Sequence, residues 1–293
     1  MNPHSIVHAR PAPGLEAFVR CYGQRRGRIA ASAAVVQPVH ARAACILEFN
    51  LGDRSRVRYS ASGLEKIAQR AVLIGLQTFR RATLHMSGTV DSFGILFQPA
   101  GLHRLFAVPV SEVTDSDHEA EAVLGRGIIE LEMRLADCRT FQQRVAAADR
   151  FLVDRIAAGR ESDGVAAAAD WILRNPGAAS IAALTSMTGL SLRQFERRFA
   201  SQIGMSPKLF ACIVRFEAVM DRMTRGPDAS WTDTAHRFGY HDQMHMVHDI
   251  ERFTGETPTK ILDVFQLAFH EAIDGLRASG DPTHILRDSR LIL

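Results

Sequence analysis

Over the first hundred residues, apolar and polar positions alternate in short runs that proline and glycine interrupt. A period of two belongs to strands. Ala34–Pro38, Ala44–Leu51, Arg56–Ser60, Ala71–Leu76 and Ser92–Gln98 read as strands, with turns at Leu51-Gly-Asp53 and Ser62-Gly63. Within Ala44–Leu51, Cys45, Leu47, Phe49 and Leu51 fall on one face, and Ile46, Glu48 and Asn50 on the other. After Pro99-Ala-Gly101 the period changes, placing Leu102, Leu105 and Phe106 on one side of a short helix, and from Asp117 onward nearly everything has helical spacing. Two helices are predicted between Glu119 and Ala158, broken near Cys138-Arg-Thr140. The second carries a stripe of Phe141, Val145, Ala148, Leu152 and Ile156 that must bury, against the strands or against a second copy of the chain. The polar Gly159–Gly164 stretch reads as a linker, and a helix over Val165–Arg174 stops at Asn175-Pro-Gly177, because proline lacks the donor a helix needs.

From Ile181 the chain repeats itself. Ile181–Lys208 and Trp231–Lys260 follow one pattern, offset by 50 and then 51 residues. In the first copy a short helix ends at Thr188-Gly-Leu190, where glycine supplies the positive φ that other residues resist. Ser191, with Gln194 three residues on, has the capping-box form, and Leu192, Phe195 and Phe199 read as the inward face of the next helix. The second copy has a helix over Trp231–Arg237, a Phe238-Gly-Tyr240 turn, and a helix from about Asp242 with Met246 and Ile250 inward. Helix, glycine turn, helix is the helix-turn-helix unit, whose second helix enters a DNA major groove. A connecting helix over Pro207–Arg225 has 19 residues, so it spans about 28 Å at 1.5 Å per residue, near the ~34 Å that separates successive major grooves on one side of a duplex.

Ser191-Leu-Arg-Gln-Phe-Glu-Arg-Arg-Phe199, Gly204-Met-Ser-Pro207, Arg215-Phe-Glu-Ala218 and Arg252-Phe-Thr-Gly-Glu-Thr-Pro258 resemble the C-terminal domain of AraC-type transcriptional regulators over roughly residues 164–262. The resemblance implies a domain with two helix-turn-helix units reading adjacent grooves, behind a variable domain for ligand sensing or dimerisation. It places recognition positions on Arg193, Gln194, Glu196 and Arg197. Arginine grips guanine, glutamine grips adenine, and glutamate accepts from the cytosine amino group. Gln202 is also read as outward, Ser191 at the head of the helix counts among the DNA-contacting residues, and Arg198 and Lys208 suit phosphate contacts, which fix register. In the second copy the outward residues are Gln243, Met244, His245, Val247 and His248, with histidine where relatives carry arginine. Ser180–Leu209 holds four basic residues against one acid, whereas Tyr240–Lys260 holds two against four. The first unit is therefore expected to carry most base readout and phosphate attraction. His241, His245 and His248 share a helical face; protonation there would raise DNA affinity at low pH. With no cysteine near them, no metal site is assigned.

The N-terminal segment resembles the small β-barrel-like sensor domains that precede this module, most closely over Phe93-Gly-Ile-Leu-Phe-Gln-Pro99 and Leu102-His-Arg-Leu-Phe106. Barrel mouths take small ligands; His40, Glu48, Asn50 and His85, in or beside apolar strands, are the expected pocket groups. The predicted class is α+β. It comprises a β-rich barrel-like sensor domain (1–118), a helical connector suited to dimerisation (119–160), an all-α double helix-turn-helix domain (161–262), and a C-terminal helix and tail (263–293) with Val264, Leu267, Ala268 and Glu271 on one helix face.

Composition narrows the function further. Among 293 residues, 46% are hydrophobic and 23% charged, which suits a folded chain and excludes disordered and fibrous classes. The four cysteines form no C-x-x-C pair, so neither a disulfide framework nor a thiolate zinc site is indicated and a reducing cytoplasm is expected. No apolar run is long enough for a membrane span, and the first ten residues lack a charged head before an apolar core. No nucleophile with its base, acid pair or metal cluster is evident, so no catalytic residue and no cofactor are expected. The expected partners are double-stranded promoter or operator DNA, RNA polymerase, a small-molecule effector and a second copy of the chain. The competing function is a helical interaction or ligand-binding protein that does not touch DNA.

Overall fold

The computed structural model describes residues 4–29, 34–156, 159, 162–225 and 229–262. The expected tail helix lies outside them, as does most of the linker's first half. Strands β1 (His4–Ala9), β2 (Val19–Ile29), β4 (Ile46–Asn50), β7 (Ala71–Ile74), β9 (Gly88–Phe97) and β10 (Asp117–Glu119) form an antiparallel sheet in the order β1-β2-β9-β4-β7-β10. A second sheet runs β3 (Val35–Val39), β8 (Ala82–Met86), β5 (Arg56–Tyr59), β6 (Glu65–Ile67). Among the described strands none bridges the two sheets, so the expected barrel is instead a pair of open sheets. One edge of each sheet is a strand of three residues, β10 in the first and β6 in the second.

β4 shows why alternation in the sequence was only half the story. Leu47 and Phe49 are fully buried with Tyr22, Phe93 and Phe97 in the main core, and Ile46, on the opposite face, is buried with Cys21, Ala44 and Leu96. Both faces of this sheet are covered, one by helices and one by the second sheet.

The helices of the first half are α1 (Gly101–Phe106), α2 (Ala120–Leu124), α3 (Gly127–Asp137) and α4 (Phe141–Ile156). Asp117–Glu119, predicted helical, is a strand paired with Val72–Ile74. Asp117 is fixed there by the Tyr59 hydroxyl, which donates at 2.8 Å, and by Arg81 at 2.6 Å, a tertiary arrangement that overrides local preference. Phe141, Ala148 and Leu152 of the α4 stripe are buried, and Val145 and Ile156 partly so. Phe141 meets Phe93 at 6.1 Å between ring centres, and Asp149 accepts from the Tyr22 hydroxyl at 2.7 Å. The stripe covers this chain's own sheet, so it is not free for a second copy.

The second half contains α5 (Gly164–Arg174), α6 (Ile181–Thr188), α7 (Leu192–Ile203), α8 (Pro207–Arg225), α9 (Trp231–Arg237) and α10 (Gln243–Thr254). One buried cluster runs from Leu15, in the turn between β1 and β2, to Ile261 beyond α10, so the two halves share a continuous core. Polar contacts also join them. Thr114 donates to the Gly204 carbonyl at 2.8 Å, the Ala43 amide donates to Glu217 at 2.9 Å, and Arg80 pairs with Glu256 at 2.7 Å.

Two histidines give the fold an acid response. Burial lowers the pKa of His8 and of His40 to about 4 each, with Arg80 and Arg42 adding to the effect at His40. The unfolded chain binds protons on these rings near pH 6.5, and the native state refuses them until about pH 4. Stability is therefore full above pH 6.5 and falls as pH drops through that window. Thermal unfolding between pH 7.5 and 4.5 should show this decline, and the double variant His8→Gln, His40→Gln should flatten it. An unchanged slope in the variant would remove the two rings as its source.

Candidate nucleic-acid interface

Each helix-turn-helix unit is fixed by local chemistry. Ser180 caps α6, and Gly189 at its end has φ +67°, the left-handed conformation glycine tolerates. Ser191 then caps α7: its hydroxyl accepts from the Gln194 amide, and the Gln194 side chain accepts from the Ser191 amide at 3.0 Å, a complete capping box. Phe195, Phe199 and Ile203 are fully buried, and Phe199 packs edge-on to both Phe195 and Phe210 at 5.5 and 5.7 Å. In the second unit Ser230 caps α9, Asp242 caps α10 by accepting from the His245 amide at 2.7 Å, and Met246, Ile250 and Phe253 are fully buried. That amide bond and the neighbouring His241 hold the Asp242 carboxyl below its ordinary pKa.

One inward assignment fails. Leu192 is 52% exposed, because as the first residue of α7 it precedes the turn that packs on α6, and Ile203 takes the third inward place. Arg193, Gln194, Glu196, Arg197 and Arg198 are all exposed along α7, with Ser191 at its head and Lys208 exposed at the start of α8. Gln202, read as outward, is half-buried and donates to Asp163 at 2.7 Å, so it ties α7 to α5. Gln194 has its oxygen engaged in the cap, which leaves the amide NH2 as its outward group.

Along α10, Gln243, Met244, His245 and His248 are exposed and Val247 is half-buried. His245 stands edge-on to Tyr240 at 5.2 Å, and His241 contacts Asp242 at 3.1 Å. Among the described residues no group of three His, Cys, Asp or Glu is placed to hold a metal ion. The acidic count of this unit overstates its outward charge. Asp249 is buried and paired with Arg215 of α8 at 2.8 Å, and Glu256 pairs with Arg80 and with Lys260 at 2.7 Å each, which lowers its pKa. Sequence reading missed the Arg215–Asp249 pair, although aligning the repeats puts Asp249 where the first unit has the exposed Arg198. An acid at that place signals an inward partner.

The N-terminal domain touches the C-terminal ends of both α7 and α10. Gly204, at the C-terminus of α7 with φ +103°, lies so close to Thr114 and Val110 that a Cβ would collide with them. At the end of α10, the Phe253 carbonyl accepts from the Ala41 amide at 3.1 Å. The exposed residues in the first turns of α7 and α10 are left uncovered.

A cavity of about 250 Å³ lies between the two sheets. His40, Glu48 and Asn50 line it, together with Ile46, Val72, Leu84 and Met86. His85 does not; its strand neighbours Leu84 and Met86 do, so the strand period turns His85 to the other face, opposite Val36 and Arg56 in the ladders. Sequence reading did not find Gln77, whose buried side-chain oxygen has no hydrogen-bond partner among the described residues, or the wall contributed by Phe216, Glu217, Met220 and Asp221 of α8. Among the described residues no helix is long and apolar enough to cross a membrane.

A family described as a helix-turn-helix domain matches residues 184–263, and a domain of unknown function (DUF6597) matches residues 7–119. No curated protein matches the chain. Among solved structures, ToxT from Vibrio cholerae O395 is similar at 8% identity over 83% of this chain and 97% of its own, with a TM-score of 0.46. The AraC-like transcriptional activator CuxR is similar at 14% identity over 77% of this chain and 88% of its own, with a TM-score of 0.30. The DNA-binding domain of the transcriptional factor AdpA, in complex with a target DNA, is similar at 22% identity over 36% of this chain and 96% of its own, with a TM-score of 0.33.

Proposed function

We propose that the helix-turn-helix domain matched over residues 184–263, which follows a β-sheet domain, is of the AraC type, and that the protein is a sequence-specific transcriptional regulator that binds promoter DNA and answers to a small effector in the sheet cavity. The observation that carries the reading is the pair of capped, exposed recognition helices joined by the 19-residue α8. Arg193 and Arg197 take guanine edges, Glu196 a cytosine amino group, and Gln194 a base acceptor through its remaining NH2. Arg198 and Lys208 hold phosphates. Gln243, Met244, His245, Val247 and His248 make the lesser contacts of the second unit. The protein works in the cytoplasm beside RNA polymerase. A mobility-shift assay with genomic fragments tests the reading: specific retention is expected, with log K falling linearly against log salt at a slope set by the phosphates neutralised. No retention of any fragment would overturn it.

Effector control follows from the cavity wall. An occupant held by His40, Glu48 and Asn50 also touches α8 through Phe216 and Met220, and so presses on the helix that sets the distance between the reading heads. Glu217 is the polar hinge of that contact, since it accepts from the Ala43 amide and its charge faces Arg42. Glu217→Gln should change DNA affinity without effector by roughly 0.5–2 kcal/mol, the range for residues along a coupled network. Fluorescence anisotropy with a labelled operator reads this directly. An unchanged affinity would mean that α8 does not sense the sheet domain.

A further inference from the structure

The two recognition helices align without a gap. Ser191 and Asp242 are their N-caps, Phe195 and Met246 their first buried residues, and Phe199 and Ile250 their second. In this register Met244 occupies the place of Arg193, and Val247 that of Glu196. Met244 is 59% exposed, and Val247, three residues on, lies on the same helix face and is half-buried. The polar side chains around them are partly engaged: the Gln243 oxygen accepts from the Thr232 hydroxyl at 3.2 Å, and the His245 ring rests against Tyr240. Where the first unit offers a guanidinium and a carboxylate, the second offers a thioether chain and an isopropyl group.

The major groove has one apolar feature on its base edges, the C5 methyl of thymine. A long, flexible methionine in the first turn of a groove-facing helix reaches such a methyl and gains by removing it from water. It forms no bidentate hydrogen bond with guanine or adenine. We infer that Met244, with Val247 beside it, reads thymine methyl groups, so that the operator half under the second unit is specified by thymine while the half under the first is specified by hydrogen-bonding base edges. This rests on the DNA-binding reading above and adds the chemistry by which its weaker half discriminates.

The test begins with the full chain selecting duplexes from a random library. Each thymine of the selected duplex is then replaced singly by deoxyuridine, which removes the methyl and keeps the pairing. One or two adjacent positions in one half of the site should weaken binding about fourfold each, the value of one buried methyl group. In Met244→Ala the thymine-to-uracil ratio at one of those positions should fall to near one, with base preferences in the other half unchanged. Met244→Arg should select guanine in its place. If uracil substitution is silent everywhere, or if Met244→Ala leaves the ratio intact, the inference is wrong while DNA binding stands. If no duplex is enriched, the DNA-binding reading itself fails and takes the inference with it.

Discussion

Arg144→Ala is expected to lower the unfolding free energy by about 3–5 kcal/mol, the cost of breaking a buried ion pair from one side. Arg144 projects from the inward face of α4, only 4% exposed. Its guanidinium donates to Asp91 of β9 at 2.9 Å, to Gln24 of β2 at 2.7 Å and to the Leu135 carbonyl at the end of α3 at 3.2 Å. One side chain thus joins two helices to two adjacent strands of the sheet they cover. Truncation leaves Asp91, Gln24 and a carbonyl without their donor inside the fold, and the other arginine near Asp91, Arg26, stands at 4.0 Å on a mostly exposed stem. A buried acceptor deprived of its partner costs more than the bond contributed, so the loss should exceed that of the packing alone. Replacing both partners by apolar groups of similar shape, Arg144→Met with Asp91→Leu, should recover much of the stability. Urea unfolding of the two single variants and the double closes the cycle. A loss below about 1 kcal/mol for Arg144→Ala would show that water reaches the pair, as at surface salt bridges.

No sequence pattern announces Arg144. It interrupts the apolar stripe of α4, and its partners lie 53 and 120 positions away in the chain. The helical hairpins were legible for the opposite reason. Ser191, Gln194 and Gly189 act on backbone groups within a turn, and the spacing of Phe195 and Phe199 fixes which face packs. Leu192 misled because spacing alone does not say where a helix begins to touch its neighbour. β2 has Arg25, Arg26 and Arg28 in its second half and gives little strand signal, yet it pairs along ten positions with β9. Alternation in β4 correctly divided Leu47 and Phe49 from Glu48 and Asn50, and Glu48 and Asn50 do line the cavity. Gln77 and the α8 wall reach the same space from segments that only the tertiary fold brings together.

The double variant Arg193→Ala, Arg197→Ala should lose about 2–6 kcal/mol of operator binding, since each bidentate arginine contributes ~1–3 kcal/mol of discrimination. These residues sit four apart on the exposed face of α7, whose opposite face is locked by Phe195, Phe199 and Ile203, so their removal leaves the helix and its cap in place. Circular dichroism and melting temperature should therefore match the unaltered protein while affinity falls by between about 30-fold and about 2.5 × 10⁴-fold. His248→Ala should cost less than either single arginine, because α10 presents no exposed cation among its first six residues apart from protonated histidine. The salt dependence separates roles: Arg198→Ala should weaken all duplexes alike and reduce the slope of log K against log salt by about one, whereas loss of Arg193 or Arg197 should relax the preference at particular base pairs. Titrations at fixed salt with the selected duplex and a scrambled one resolve both effects. Equal losses for Arg197→Ala and His248→Ala would contradict the asymmetry, because the two units would then share the readout although only the first carries arginines in the opening turns of its recognition helix.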